Sequence, residues 1–417
     1  MEDTILTTTK KLPKDWRWVK LGEVCHTTSG GTPSRREIRY YNGTIPWVKS
    51  GELDKGIITD TEEKISEEAI KNSSAKIFPK GTLLIALYGA TIGKLAFLGV
   101  DAATNQAICG IYQNEKISSS FLYNYLVYKK RKLIGQGIGG AQPNISQTIL
   151  KDLDLPLPPK LTQQNVVSKI EELFSELDKG IENLRIAQQQ LKTYRQSVLK
   201  WAFEGKLTNE NVKDGELPKG WKIKSIGDIF EVFIGSTSKR NVPEYWGGET
   251  NWVSSGEIAF CNIIDTKEKI TKKGLDNTSC KIHPIGTVII AMIGEGKTRG
   301  QAAILKIESS HNQNTAAIRV DNNVYRSELL YYYLFLKYED NRKVGSGNNQ
   351  KALNKERVKN IPIPLPLIEE QNTIVQEIES RLSVADKMEE SITQSLQQAE
   401  GLRQSILKKA FEGNLIN

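Results

Sequence analysis

The hexapeptide Trp47-Val48-Lys49-Ser50-Gly51-Glu52 returns 205 residues later as Trp252-Val253-Ser254-Ser255-Gly256-Glu257. Two other landmarks return in the same order, namely Leu12-Pro13-Lys14-Asp15-Trp16 as Leu217-Pro218-Lys219-Gly220-Trp221 and Phe203-Glu204-Gly205-Lys206-Leu207 as Phe411-Glu412-Gly413-Asn414-Leu415. Residues 12–207 and 217–415 are therefore two copies of one sequence unit. A period of about 200 residues is too long for a solenoid or propeller. The repeat predicts a duplicated, pseudo-twofold protein, which suits a partner such as duplex DNA.

The composition is that of a globular protein with room for more than one core. The chain has 417 residues, of which 38% are hydrophobic and 25% are charged, and chains of this length usually form several domains. The formal net charge of +8 is compatible with a nucleic-acid partner. An ordinary solvated surface explains the same excess equally well.

The sequence shows no sign of a membrane or secretory protein. No apolar run approaches the roughly 18–20 residues that cross a bilayer, and the polar start Met1–Lys11 lacks the apolar core of a signal peptide. Cys25, Cys109, Cys261 and Cys280 form no CxxC pair, which favours free thiols in a reducing compartment. We therefore expect a cytoplasmic protein without a membrane partner.

Each copy begins with a globular part of mixed secondary structure. Apolar runs at 81–87 and 286–292 predict matched buried strands, and those at 121–126 and 329–334 predict matched helices. Their alternation with turn residues predicts mixed α/β domains. Proline-rich straps at 155–159 and 361–366 end the two parts, and because proline fixes φ we expect stiff, extended segments there.

A long amphipathic helix is predicted after each strap. Apolar residues then recur every three or four positions, and about 40 residues at 1.5 Å each make a rod of roughly 60 Å. Gly205 and Gly413 stand where a C′ glycine ends a helix, whereas Gly180 and Gly401 interrupt the pattern. Since neither rod can bury its apolar seam alone, antiparallel pairing is expected. The alternative is that each helix packs on its own globular part.

These patterns predict an α+β protein of four segments. They are a first globular domain over 1–158, a central helix over 159–208, a second globular domain over 209–366 and a C-terminal helix over 367–417.

Motifs that resemble catalytic sites fail on spacing. Gly296-Lys297-Thr298 suggests a phosphate loop, but the GxxxxGK[ST] pattern requires glycine where the chain has Ala291. The segment 60–64 with upstream Asp54 resembles a metal-dependent nuclease site, yet Lys267 replaces the ligand carboxylate in the second copy. Neither nucleotide binding nor nuclease chemistry is therefore expected.

Methyltransferase, zinc and triad chemistry also lack their residues. Pro158-Pro159 is followed by Lys160 instead of an aromatic residue, no cysteine follows a proline, and no glycine-rich turn fits a methyl-donor cofactor. His26, His283 and His311 occupy unmatched positions in the two copies, and they form neither a metal cage nor a triad. We predict no catalytic residue, no metal ligand and no cofactor.

Glycine-rich loops carry basic or amide side chains in both copies. They lie at 29–36 and 234–241, at 89–94 and 294–299, and at 135–142 and 343–350, and the second pair aligns Lys94 with Arg299 as the cation at the loop end. Arginine can form two hydrogen bonds with guanine, and Gln or Asn can form two with adenine. The glycines would let the backbone come close to phosphates. The copies agree in framework and differ in these loops, as expected if each reads a different short sequence; solvated surface turns are the alternative. The candidate DNA-binding residues are Arg35, Arg36, Lys49, Lys94, Gln142, Asn144, Lys239, Arg240, Lys297, Arg299, Asn349 and Gln350.

In this order, and twice over, the motifs resemble the specificity (S) subunit of Type I restriction–modification systems across essentially the whole chain. The residues that carry the resemblance are the Leu-Pro-x-x-Trp openings at 12 and 217, the loop at 30–34, the segments 88–94, 104–108 and 142–146, the straps running into Gln163-Gln164 and Glu370-Gln371, and the Ala-Phe-Glu-Gly-x-Leu ends at 202 and 410. The second copy departs from this pattern at 294–299 and at Lys351-Ala352.

The resemblance implies a non-catalytic subunit. Two target recognition domains, joined by two antiparallel helices, are expected to read a double-stranded DNA site of two short parts around a nonspecific spacer. Two methyltransferase (M) subunits are expected on the helices and restriction (R) subunits beside them, so S-adenosylmethionine, ATP and magnesium belong to partners. Candidate helix contacts are Leu177, Leu184, Leu191, Met388, Leu396 and Leu402. The alternatives are a self-sufficient DNA-modifying or DNA-cleaving enzyme and a scaffold that binds only proteins.

Overall fold

The computed structural model describes residues 12–136, 144–209, 211–294, 296–343 and 353–416. They form two compact units, which correspond to Met1–Leu184 with Gln394–Asn417 and to Arg185–Thr393. We call these the first and the second unit. Each contains one globular part of the repeat and portions of both long helices.

The first unit combines many short strands with several helices. The strands are β1 Arg17–Lys20, β2 Thr27–Ser29, β3 Ile45–Val48, β4 Ile57–Ile58, β5 Glu63–Ile65, β6 Ile77–Phe78, β7 Leu83–Ala86, β8 Leu95–Leu98, β9 Ala102–Thr104, β10 Ile108–Ile111 and β11 Asp154–Leu157. The helices are α1 Leu21–Val24, α2 Glu67–Lys71, α3 Ser119–Gly135, α4 Gln147–Lys151 and the beginning of the long helix α5 Lys160–Phe203.

The second unit follows the same plan. Its strands are β12 Lys222–Ser225, β13 Glu231–Ile234, β14 Trp246–Val253, β15 Cys261–Ile263, β16 Glu268–Ile270, β17 Val288–Ala291, β18 Ala302–Leu305, β19 Ser310–His311, β20 Thr315–Arg319 and β21 Pro362–Leu365. Its helices are α6 Ile226–Ile229, α7 Lys272–Asp276, α8 Ser327–Leu336, α9 Tyr338–Lys343, α10 Lys355–Lys359 and the beginning of the long helix α11 Ile368–Phe411.

Three sheets organise the described part of each unit. In the first unit the strand orders are β2-β10-β7-β8-β4, β5-β3-β9-β6 and β1-β11, and in the second they are β13-β20-β17-β18-β15, β16-β14-β19 and β12-β21. An isolated pairing of His283 with Ser309 stands where β6 pairs with β9 in the first unit. The predicted mixed α/β architecture is confirmed.

The matched apolar runs form β7 and β17, which are buried on both faces. Leu83 and Ile85 join one core cluster, whereas Leu84 and Ala86 join another. The residues of β17 alternate between two clusters in the same way. A strand that is buried on both faces is apolar throughout, which is why a continuous apolar run predicted these two strands.

The proline-rich straps close their globular parts. β11 pairs antiparallel with β1, and Pro156 lies opposite Trp18; β21 pairs with β12, and Pro364 lies opposite Ile223. Proline is tolerated because each strap belongs to a two-stranded sheet, in which one edge of the strand needs no backbone donor. The extended conformation predicted for the straps is confirmed. Each strap is also a paired strand, in addition to connecting its globular part to a long helix.

Both long helices run without a break through their internal glycines, Gly180 and Gly401. The two helices are antiparallel in each unit. Within the first unit Arg403 forms an ion pair with Asp178, and within the second Arg195 pairs with Asp386 at 2.5 Å. The predicted antiparallel pairing is confirmed.

Each long helix packs on both globular parts. Val166, near the start of α5, and Phe411, at the end of α11, join the same core in the first unit. Ile374, near the start of α11, and Leu199, near the end of α5, share a core in the second. Each helix thus begins on its own copy and ends on the other copy. The alternative, that each helix packs on its own globular part, is correct only for the beginnings of the helices. The four predicted segment boundaries stay predictions, because each compact unit contains portions of both helices.

The two helices end at the predicted glycines. Gly205 and Gly413 have φ values of 74° and 77°, and the backbone hydrogen bonds after each helix are those of a Schellman motif. A Cβ atom at these positions would lie 2.1 Å from Cγ of Pro218 and 2.2 Å from Cγ of Pro13. Glycine therefore both ends the helix and lets the Leu-Pro opening of a repeat pack against it.

Candidate nucleic-acid interface

In the first unit, Arg35 is held between a carboxylate and two aromatic rings. Its Nη1 donates to Oε2 of Glu63 at 2.6 Å, and its guanidinium lies 4.3 Å from the ring centre of Tyr41 and 5.1 Å from that of Trp47. The hydrogen bond from Arg35 holds the pKa of the Glu63 carboxyl below its usual value. Lys49 Nζ contacts the same carboxylate at 3.1 Å, so two candidates meet at one acidic residue.

The second unit repeats this arrangement at the same spacing. Arg240 donates through both terminal nitrogens to Glu268, including a bond of 2.9 Å from Nη2 to Oε2. Its guanidinium lies 4.0 Å from the ring centre of Trp246 and 4.9 Å from that of Trp252. We call these two groups the arginine clusters; their members are Arg35, Tyr41, Trp47 and Glu63, and Arg240, Trp246, Trp252 and Glu268.

A tryptophan of each arginine cluster also forms a hydrogen bond that holds the neighbouring glycine-rich loop in place. The indole N–H of Trp47 donates to the carbonyl of Gly31, and that of Trp252 to the carbonyl of Ser236, both at 3.1 Å. The arginine side chains remain 55% and 53% exposed. Because a guanidinium has five N–H donors, each arginine keeps donors for an incoming ligand while its orientation is set by the cluster. The two arginine clusters therefore belong to the structural framework that both copies share.

A glycine in each loop is required by close packing. A Cβ atom at Gly30 would lie 2.3 Å from the carbonyl oxygen of Thr104, and one at Gly235 would lie 2.2 Å from that of His311. The sequence suggested that these glycines let the backbone approach phosphates. The structure shows that they let the loop approach its own sheet.

The loop after the buried strand corrects the predicted alignment of Lys94 with Arg299. The N–H of Gly93 donates to Ala86 and the N–H of Gly300 donates to Ala291, both at 2.8 Å. The structural counterpart of Lys94 is therefore Gln301. Sequence matching missed this because the second loop is two residues longer and ends in another cation.

These loop cations have different partners in the two units. Lys94 Nζ pairs with Oδ2 of Asp54 at 3.2 Å, which holds the pKa of the Asp54 carboxyl below its usual value. Arg299 Nη2 donates to the carbonyl of Arg342 at 3.1 Å, and the Lys297 side chain is exposed. Arg342 was not among the predicted residues, because it lies on a helix in a stretch without a loop motif.

The remaining loop candidates are dispersed. Arg36, Lys239 and Asn144 are exposed, and Asn144 also forms an isolated backbone pairing with Tyr88. Gln142, Asn349 and Gln350 lie outside the described residues. Of the loop candidates in the described ranges, the structure joins only Arg35 and Lys49 through a shared partner.

The helix candidates lie along the apolar seam of the paired helices. In the first unit Leu177, Leu184 and Leu402 line a groove of about 680 Å³ beside Gly180 and Gly401. Leu402 is 50% exposed, as is Met388 in the second unit at 53%. The side chains of Leu191 and Leu396 are partly buried. Apolar surface thus remains open on the helical pair of each unit.

Two histidines of the second unit form a buried hydrogen-bonded chain. Arg319 Nε donates to Nδ1 of His283 at 3.2 Å, so Nε2–H of His283 donates to Nε2 of His311, also at 3.2 Å. Nδ1–H of His311 then donates to the Thr315 hydroxyl at 2.7 Å, which itself donates to Asn312. These donor roles require both rings to be neutral.

The surroundings of the two rings favour this neutral state. Burial, with His311, Arg319 and Lys281 nearby, lowers the pKa of His283 to about 3, and burial lowers that of His311 to about 4. In the part of the chain that the structure describes, no group of three His, Cys, Asp or Glu residues is placed to hold a metal ion. Among the same residues, no helix combines the length and apolarity of a membrane span.

Comparisons with known proteins give a consistent result. The family model described as "Type I restriction modification DNA specificity domain" matches residues 13–185 and 218–398. The chain is 26% identical to the Type I restriction enzyme MjaIX specificity subunit of Methanocaldococcus jannaschii, over 79% of this chain and 77% of that protein. It is also 26% identical to the EcoBI specificity subunit of Escherichia coli, over 96% and 86%.

Two solved structures share the fold. One belongs to a study of complex assembly and conformational transition of the type I R-M system, with a TM-score of 0.74, 20% identity and coverage of 97% of this chain and 99% of that chain. The other is the HsdS subunit from Thermoanaerobacter tengcongensis, with a TM-score of 0.68, 21% identity and coverage of 98% and 99%.

Proposed function

The chain belongs to the family of Type I restriction–modification DNA specificity domains, and we propose that its two copies read two different short parts of one double-stranded DNA site. The family model covers both copies, at 13–185 and 218–398. The chain is thus a specificity subunit with two recognition domains. The parts that the two copies read, and the nonspecific spacer between them, follow from the proposal.

One observation carries the proposal: the framework is the same in both units while the loops differ. The arginine clusters recur with the same contacts, but the ion pair between Lys94 and Asp54 is missing in the second unit, where Gln301 and Ala259 stand at those positions. A protein that read the same bases twice would keep its loops alike. Different loops on one framework favour an asymmetric site of two parts.

We propose that the arginine clusters aim their guanidinium groups at the DNA. Glu63 and Glu268 fix the direction of each arginine, and the free donors remain exposed. A planar guanidinium can then donate twice to guanine or to a phosphate. The other candidate residues on these loops supply neighbouring contacts to bases and backbone.

We further propose that the paired helices dock two methyltransferase subunits, one beside each unit, and that restriction subunits join the assembly through them. The open apolar side chains Met388 and Leu402 support this role, because apolar seams on helices are typical docking surfaces for other helices. The chain itself is proposed to be non-catalytic. S-adenosylmethionine, ATP and magnesium belong to the partner subunits in this scheme.

Methylome sequencing of the host with and without this gene tests the proposed function. We expect one asymmetric two-part motif to lose its methylation when the gene is deleted. Exchanging residues 217–366 for the same region of a relative should change one part of the motif only. A change in both parts, or a motif without a gap, contradicts the proposal.

The alternative of a self-sufficient enzyme has its own test. The purified chain is incubated with supercoiled DNA and magnesium, without partner subunits. We expect the DNA to remain supercoiled and unmethylated. Nicking that survives further purification and disappears with a variant of this chain favours the alternative.

A further inference from the structure

The loop that follows β17 differs from its counterpart after β7 in length and charge. Between the hydrogen-bonded residues Ala86 and Gly93 the first unit has six residues, whereas between Ala291 and Gly300 the second has eight. The longer loop includes Lys297 and Arg299. The neighbouring helices differ too: α3 is continuous, but its counterpart is divided into α8 and α9.

The first unit neutralises its loop cation, whereas among the described residues of the second unit no carboxylate pairs with the loop cations. Lys94 is paired with Asp54. In the second unit the equivalent positions hold Gln301 and Ala259, so both members of the ion pair have been replaced. The loop of the second unit carries Lys297 and Arg299 together with Glu295, and Ala259 stands where Asp54 faces the loop in the first unit.

Contacts to neutral backbone carbonyls hold the second loop on α9. Arg342 donates from Nη2 to the carbonyl of Gly296 at 2.7 Å and from Nη1 to the Tyr338 hydroxyl at 2.9 Å. The Tyr338 hydroxyl donates to the carbonyl of Lys297, and Arg299 donates to the carbonyl of Arg342 at 3.1 Å. These bonds position the arginines, and the groups that accept them are all neutral.

We call Lys297, Arg299 and Arg342 the basic cluster. Within the described residues, which do not include Glu295, none of its members forms an ion pair with a carboxylate. Nε of Arg299 is buried without a hydrogen-bond partner. The three cations lie on one loop and on the helix that the loop contacts, where like charges repel one another. An anion with several acceptor oxygens would offset that repulsion and bond to the free donors.

We propose that the basic cluster binds a phosphate group of the DNA backbone. This inference rests on the proposed function, because it requires that the second unit lies on DNA. Arginine suits the role since its planar fork matches phosphate oxygens. A phosphate contact sets position and adds affinity without reading a base.

The salt dependence of DNA binding tests the assignment. The complex of this chain with its methyltransferase subunits is titrated with a duplex that carries the mapped site, and with one that does not, from 50 to 200 mM salt. Lys297→Gln, Arg299→Gln and the double variant are compared with wild type. Lys222→Gln is the control, since it removes one exposed positive charge from β12 of the same unit.

For each lost phosphate contact we expect the slope of log K against log salt to fall by about 0.9. The affinity gap between variant and wild type should then shrink about threefold over this salt range. The loss should be the same for both duplexes, and the control should keep the wild-type slope. Lys297→Gln is informative even if Arg299→Gln misfolds, because the Lys297 side chain is exposed.

A second arm identifies the source of the phosphate. Single neutral methylphosphonates are placed along the duplex, one position at a time. At one position the substitution should weaken DNA binding by the wild-type complex but should not weaken binding by the double variant any further. Inorganic phosphate should compete only weakly. Tight binding of inorganic phosphate that the double variant loses, without any change in DNA affinity, overturns the assignment to DNA.

Failure of the phosphate assignment and failure of the proposed function give different results. If the wild-type complex prefers the mapped site but the variants keep its salt slope, the basic cluster only fastens the loop and this inference is wrong. If variants lose affinity for the site alone, the cluster reads bases. If the wild-type complex shows no sequence preference at all, the proposed function itself fails.

Discussion

The two arginine clusters and the two loops beside them have diverged to different degrees. Arg35 with Glu63 and Arg240 with Glu268 keep the same spacing, the same stacking on aromatic rings and the same bond from an indole to the loop. The loops after β7 and β17 share neither length nor charge partners. The duplicated domain has thus kept the contacts that hold its loops and varied the side chains that those loops present.

The largest expected effect concerns the helical pair that each unit contains. Leu191→Asp in the second unit and Leu396→Asp in the first place a charge in the apolar seam, where desolvation costs several kcal/mol. We expect binding of methyltransferase subunits to weaken by at least about 100-fold, as measured by analytical ultracentrifugation of the mixed subunits.

The neighbouring exposed residues supply the control for this prediction. Gln190→Asp and Gln397→Asp add the same charge outside the seam and should leave assembly intact. Loss of assembly in all four variants points to a general charge effect. Normal assembly of Leu191→Asp and Leu396→Asp rejects the docking role of the helices.

A second prediction separates the units by their response to acid. The pKa values of His283 and His311 are lowered to about 3 and about 4, so the unfolded chain binds more protons than the folded chain below pH 6.5. The contribution of these two histidines to the free energy of unfolding is fully present above that pH and is lost as the pH falls toward 4. Between pH 7 and 5 we expect a loss of about 2–4 kcal/mol.

The first unit supplies the matched variant. Strand register places Phe78 and Thr104 where the second unit has His283 and His311. Urea denaturation of the double variant His283→Phe/His311→Thr should therefore show less loss of stability between pH 7 and 5 than wild type. Equal losses in the two proteins show that other groups cause the acid sensitivity.

A third prediction concerns the arginines that both units share. Arg35→Ala should weaken recognition at one part of the DNA site and Arg240→Ala at the other, by about 1–3 kcal/mol each for a lost double contact. Competition binding with duplexes altered in one part measures this. Equal loss at both parts, or none, means that the arginine clusters only fasten the loops.

The smallest expected effect is a gain in stability at the glycines of the helical pair. A Cβ built at Gly180 in α5 or Gly401 in α11 meets no described atom within 4 Å apart from the chain neighbours and the nearby backbone of its own helix, and the repeat places Met388 and Thr193 at the corresponding positions. Each Gly→Ala substitution should raise the free energy of unfolding by about 0.5–1 kcal/mol, seen as a higher Tm. A lower Tm shows that the helices approach more closely than this spacing allows.

Much of the fold could be predicted because it depends on residues that are close in sequence. The apolar runs of β7 and β17, the helical periodicity after the straps and the glycines at 205 and 413 each express a local rule, and each is confirmed. The alignment of Lys94 with Arg299 was wrong because a two-residue insertion moved a second cation into the same sequence position. Arg342 was missed because no local pattern marks it.

Spacing and periodicity along the chain were enough to predict the duplication, the strands β7 and β17, the helices α3 and α8, and the long helices with the glycines that end them. Three features became visible only in the tertiary structure. Each helix ends on the opposite copy, and Arg35 and Arg240 are already bound by glutamates. The second unit has no acid at the position of Asp54, which neutralises the loop cation Lys94 in the first unit. Those features depend on contacts between residues far apart in sequence, and an amphipathic pattern identifies the buried face of a helix without identifying what covers it.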